Sequence, residues 1–145
     1  MGIVELISLV YTSIAPQAMD DAKLLDILTV SRRNNKARQI TGMLLHKDGF
    51  FIQALEGEKS AVEALYEVIK ADPRHARINK MFMRTTRERS FGDWEMGFNH
   101  LSSVDADTLP GYTDFLTRPF DIGFFMDNPG RAQYLLEFFK TKSSF

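Results

Sequence analysis

Gln53 stands inside the apolar run Phe50-Phe51-Ile52-Gln53-Ala54-Leu55, where its side chain is out of character. An amide carries one acceptor oxygen and two N–H donors, and a buried one must find partners for them. Neighbouring backbone can meet that demand, and so can a polar group placed opposite. Tyr11 ends a second branched run that begins at Ile3, and alone it reads as a core aromatic whose hydroxyl finds a partner. Asn34-Asn35 is by type a pair that tolerates the left-handed conformation at a helix end. The neighbouring cations Arg32, Arg33, Lys36 and Arg38 suit a helix C-terminus or a phosphate.

Other chemistries are poorly served. The histidines His46, His75 and His100 are far apart, with no pair four residues apart on one helix, so no metal site is expected. No glycine-rich dinucleotide fingerprint follows a strand, and Gly57-Glu58-Lys59-Ser60 lacks the spacing of a phosphate loop. The chain has no cysteine, which excludes disulfides and thiol catalysis and points to a cytoplasmic protein. With 18 basic and 19 acidic residues there is no overall field to attract nucleic acid or an anionic membrane. No apolar run reaches the roughly 18–20 residues of a membrane helix.

The elements that must position these residues follow from periodicity. Residues 3–11 alternate as a strand, with Ile7, Leu9 and Tyr11 on one face and Val4, Leu6 and Val10 on the other. Asp20 and Asp21 open a helix on which Leu24, Ile27, Leu28 and Ser31 share a face, expected to end near Asn34 or Asn35. Residues 39–46 and 50–57 read as strands joined by a hairpin at Lys47-Asp48-Gly49. Ser60 and Glu63 form a capping-box pattern for a second helix with Val62, Leu65, Tyr66 and Ile69 on its face, stopped by Asp72-Pro73. Residues 77–86 are a fourth strand, and a short fifth surrounds Trp94, Met96 and Phe98. The pattern is α+β: a ferredoxin-like β-α-β-β-α-β-β sheet with two helices on one face. Helices expected at 107–117 and 130–140 lie on the other. The expected division is a core over residues 1–102 and a helical extension over 103–145.

In order along the chain, Tyr11-Thr12-Ser13, Asn34-Asn35, Ile40-Thr41-Gly42-Met43-Leu44, Phe51-Ile52-Gln53-Ala54-Leu55-Glu56-Gly57, Asp72-Pro73-Arg74-His75 and Trp94-Glu95-Met96 resemble the signature of the BLUF family of blue-light-using flavin domains. The resemblance covers about residues 3–102. It implies a flavin held noncovalently between the two helices, FAD by default, with FMN or riboflavin as alternatives. It implies that Ile27 and Ile69 sandwich the ring, that Asn35 binds its carbonyl and N–H edge and that Asn34 is its neighbour at the pocket. Leu44 and Phe51 would pack nearby, and Asp72, Arg74 and His75 would close the sugar and phosphate side. Tyr11 and Gln53 become the photoactive switch, and Trp94 and Met96 its relay. Two positions depart from the family pattern: Val68 replaces a frequent arginine, with Lys70 the nearest cation, and Glu95 replaces a frequent serine.

The chemistry suits these residue types. A phenol is oxidisable by an excited flavin, and an amide can reorient and so exchange donor for acceptor. The expected protein is a short photoreceptor domain without turnover. Its expected partners are the flavin, a separate downstream protein and other copies of itself, with no nucleic acid and no membrane. The competing assignment is a cofactor-free ferredoxin-like domain, either a small-molecule enzyme of the dimeric monooxygenase type or an interaction module.

Overall fold

The computed structural model describes residues 5–15, 20–47, 49–73, 76–92, 96–100, 128 and 130–138. Its elements are β1 (Leu6–Ile14), α1 (Asp21–Arg38), β2 (Thr41–Lys47), β3 (Phe50–Glu58), α2 (Lys59–Ala71), β4 (Ala76–Thr85), β5 (Gly97–His100) and α3 (Gly130–Phe138). They form one sheet of order β4-β1-β3-β2-β5, antiparallel except for the parallel β2–β5 pair. This is the expected ferredoxin-like α+β arrangement, with β1 and β3 at its centre.

Alternation in β1 sorts its side chains to two cores. Ile7, Leu9 and Tyr11 join Leu44, Phe51 and Leu55 beneath Leu24 and Leu28 of α1 and Val62, Leu65 and Tyr66 of α2. Val10, Met43, Leu45, Phe50 and Ile52 face the other way and meet Ala132, Leu135 and Leu136 of α3. The sheet is therefore covered on both faces, and the expected C-terminal helix is present at 130–138. The expected helix at 107–117 lies outside the described residues.

Several boundaries differ from expectation for identifiable reasons. β1 runs on to Ile14, because Thr12, Ser13 and Ile14 continue the ladder against Ile52, Phe51 and Phe50. Tyr11 therefore lies within the strand and not near its end. Asp20 caps α1 as expected, its carboxylate accepting the Lys23 N–H at 2.8 Å. That helix continues past Asn34 and Asn35 through the helix-favouring Lys36-Ala37-Arg38, and Gln39 takes the left-handed position at φ 56°. The capping box at Ser60 does not form. β3 passes directly into α2, which starts at Lys59 behind an extended Glu58. The Lys59 N–H donates to the Glu5 carbonyl at 3.1 Å, so a strand end does the work of a cap. At the β2–β3 hairpin Lys47 faces Phe50, and Gly49 has φ 81°, which suits glycine.

A partly buried knot holds the approach to β5. The Glu56 carboxylate accepts the N–H groups of Ser90 and Phe91, both at 2.7 Å. Arg89 donates to the Glu56 carbonyl at 2.9 Å, to Thr41 Oγ1 at 3.0 Å and to the Gln39 carbonyl at 2.7 Å. The turn before β5 is thus tied to β3, to the start of β2 and to the end of α1.

Candidate functional site

Antiparallel pairing places Tyr11 of β1 directly opposite Gln53 of β3, and Gln53 opposite Leu44 of β2. The three make one row on the face below α1 and α2. Tyr11 is fully buried and Gln53 nearly so. The Tyr11 hydroxyl donates a hydrogen bond to Gln53 Oε1. On the other side Gln53 Nε2 donates to Met96 Sδ at 3.3 Å. The polar partner that Gln53 requires is therefore a phenol on one side and a thioether on the other, not backbone alone.

Above this row lies a narrow cleft of about 50 Å³. α1 contributes Ile27, Val30, Ser31, Asn34 and Asn35, and α2 contributes Leu65, Val68, Ile69 and Asp72. Leu44 and Gln53 form the floor. The walls are aliphatic and the α1 end is lined with amides, a combination suited to a flat ring that is apolar on its faces and polar on one edge. Of the expected site residues, Tyr11, Ile27, Asn34, Asn35, Leu44, Gln53, Ile69, Asp72 and Met96 converge here. Phe51 is not among the residues lining the cleft; it lies in the same core as Tyr11 and Leu44 and packs on His46, the two rings 5.1 Å apart. Arg74, His75 and Trp94 lie outside the described residues. Among the described residues no group of three or more acidic, histidine or cysteine side chains could hold a metal ion. No described helix is long and apolar enough to cross a membrane.

Burial pushes the Tyr11 phenol far above its ordinary value, and the neighbouring Tyr66 and Asp72 add to the effect. Tyr11 is accordingly a neutral O–H donor at any pH near neutrality. Tyr66 packs against it, ring centroids 5.5 Å apart, and its phenol is also raised, chiefly by burial. β4 is bulged opposite Val10 and Tyr11, which pair with Phe82 and Lys80. Lys80 and Lys70 stand over the Tyr66 ring at 5.6 and 5.1 Å from its centroid. Lys70 also pairs with Glu67 at 2.8 Å. Val68, 51% exposed, forms part of the cleft rim.

Val30, Ser31 and Leu65 also line the cleft and were not among the expected site residues. Arg32, expected at the end of α1 or on a phosphate, donates its Nε–H to the Met96 carbonyl at 2.9 Å. No local signal marks that bond, since its partner is 64 positions away.

Chemically, the row Tyr11–Gln53–Met96 admits two hydrogen-bonding arrangements. Turning the Gln53 amide over directs its N–H groups toward the phenol oxygen and its carbonyl toward the sulfur. Both settings use the same atoms, and the dry surroundings make the difference between them costly.

The comparisons with known proteins agree with this geometry. The family model described as "BLUF: Sensors of blue-light using FAD" matches residues 6–97. The photoactivated adenylate cyclase subunit alpha of Euglena gracilis is 40% identical over 114 residues, spanning 79% of this chain and 11% of that protein. The chain thus covers only a small part of that relative. The ground-state structure of BlsA superposes with a TM-score of 0.77 at 28% identity, covering 97% of this chain and 91% of that one. A structure of Klebsiella pneumoniae BlrP1 with FMN and cyclic diGMP gives a TM-score of 0.66 at 28% identity, covering 87% of this chain and 36% of that one. The chain belongs to the BLUF family of blue-light sensors.

Proposed function

We propose that the cleft between α1 and α2 binds a flavin noncovalently and that blue light inverts the Gln53 amide, a change read by a separate protein. The observation that carries this reading is the hydrogen-bonded row Tyr11–Gln53–Met96 on the floor of an aliphatic, amide-lined cleft. The residues fit the group. Ile27 and Ile69 face the cleft from opposite helices, and Asn34 and Asn35 supply amides to match the carbonyl and N–H edge of the ring. FAD is the flavin of choice, as in the family description, and the FMN of BlrP1 is the alternative.

When bound and excited, the flavin supplies the oxidant for the Tyr11 phenol. The chain's own residues do the rest. Burial keeps Tyr11 neutral, its hydrogen bond to Gln53 Oε1 holds the amide in one setting, and the hydrophobic walls exclude water. Met96, flexible and apolar, senses which end of the amide it faces. The reading assigns no turnover to this chain. The lack of cysteine supports a cytoplasmic setting. The exposed Tyr134 of α3, whose neighbours Leu135 and Leu136 are buried on the sheet, is part of the proposed output surface.

The test is a visible absorption spectrum before and after blue light. The purified protein is expected to be yellow, with a main band that moves slightly to the red and returns in darkness. Gln53→Ala should keep the flavin and lose the shift. A chain that stays colourless after incubation with flavins ends this reading, and a normal shift in Gln53→Ala places the switch elsewhere.

A further inference from the structure

Met96 is held from several sides. Its sulfur accepts from Gln53 Nε2 at 3.3 Å, and its terminal methyl lies over Gly42, where an added Cβ would come within 3.2 Å of it. The next residue, Gly97, enters the β5 ladder opposite Met43. The Met96 carbonyl accepts the Arg32 Nε–H at 2.9 Å in a partly buried setting. Arg32 projects from the same helix that brings Ile27, Asn34 and Asn35 to the cleft. A charge-assisted bond of this kind is stronger than a neutral one and is shielded here from full competition by water.

We propose that Arg32 is a positioning residue: by pinning the Met96 backbone it keeps the thioether against Gln53 and thereby sets the lifetime of the light state. The inference rests on the switch reading above. With the amide inverted, Gln53 Oε1 faces Met96 Sδ, and two acceptors oppose each other in a dry contact. A freely moving Met96 would withdraw and relieve the contact. Pinned by Arg32, it stays and destabilises the inverted setting, which drives the amide back. The same bond registers α1 to β5, so a shift of Met96 reaches the helix that lines the cleft.

The experiment uses the full chain with flavin bound and measures red shift and dark recovery in wild type, Arg32→Met and Arg32→Lys. Arg32→Met keeps the apolar stem and removes the donor. It should retain flavin and red shift but recover about tenfold more slowly, each tenfold in rate being about 1.4 kcal/mol of barrier. Arg32→Lys, whose ammonium reaches the same carbonyl, should recover within about threefold of wild type, a rescue that a purely structural role does not predict. Wild-type recovery in Arg32→Met, or equal slowing in both variants, overturns the proposal. Should Arg32→Met fail to hold flavin, the Arg32 Nε–H resonance of the wild type decides. It is expected to move on illumination and return with the flavin band, and an unmoved resonance beside a shifting band refutes the role. Absence of any red shift in the wild type, in contrast, removes the switch reading itself.

Discussion

Tyr11→Phe removes one oxygen from a fully buried ring, and its effect on stability should change sign with pH. At neutral pH the variant strands Gln53 Oε1, a buried acceptor that has lost its donor. The expected net cost is about 1–2 kcal/mol, or about 3–6 °C in Tm for a chain of this size. At alkaline pH the balance turns. Burial first, then Tyr66 and Asp72, lifts the folded-state phenol above its ordinary value of 10.0. The unfolded chain therefore releases a proton that the folded chain keeps. The stabilisation tied to that proton is whole below the unfolded value and falls by about 1.4 kcal/mol per pH unit above it. About one unit above the ordinary value, the wild type has lost the whole of its neutral-pH advantage, and beyond that Tyr11→Phe becomes the more stable protein. Urea unfolding of both proteins, with the same flavin in equal excess, from about pH 7 to about pH 11.5 measures the difference. The lysines and the remaining tyrosines cancel because both proteins carry them. A stability difference that stays constant over this range would show that Tyr11 is not held as a buried neutral phenol.

Three further substitutions probe the frame around the switch. Glu56→Ala strands the Ser90 and Phe91 N–H groups and should cost about 3 kcal/mol; a Tm within about 2 °C of wild type argues against the knot. Gly42→Ala drives a methyl into the Ala54 carbonyl, so a loss above about 3 kcal/mol or insoluble protein is expected, and a normally stable variant contradicts the close approach of β2 and β3. Ile69→Ala removes three carbons from a half-buried cleft wall, at about 0.8 kcal/mol per buried carbon, and should weaken flavin binding by about tenfold to fiftyfold. Leu25→Ala, on an exposed part of α1, should leave binding unchanged, and equal losses in both variants would move the flavin out of the cleft.

Local chemistry made part of this architecture readable. Gly49 marked the hairpin, because few residue types accept the φ of 81° that it adopts. Alternation in β1 correctly separated Ile7, Leu9 and Tyr11 from Val10, since each strand has only two faces. Asp72-Pro73 ended α2 where proline must. Features decided by distant partners were not readable. The start of α2 depends on the Glu5 carbonyl, not on Ser60, and the placement of Arg32 depends on Met96. Two asparagines in sequence suggested a helix end, yet the following Lys36-Ala37-Arg38 carried the helix on and left the asparagines to line the cleft. For the site, periodicity identified Gln53 as a polar residue in need of a partner but could not name it. Tyr11 lies 42 positions away, and only the antiparallel register of β1 and β3, or the family resemblance, joins the two.

That register also explains why an amide on a central strand suits a switch. Directly opposed side chains on neighbouring strands sit within about 4.5–5.5 Å of each other at Cβ, close enough for a phenol and an amide to bond without bending the backbone. The strands themselves are fixed: β1 and β3 are flanked on both sides, and their faces are covered by α1, α2 and α3. The turn before β5 is likewise tied down by Glu56 and Arg89. On the proposed reading, a turn of the Gln53 amide meets Met96 first, because its Nε2 bonds the Met96 sulfur and the Met96 backbone carbonyl is joined to α1 through Arg32. Met96 leads directly into the edge strand β5, where a small rearrangement can alter the surface.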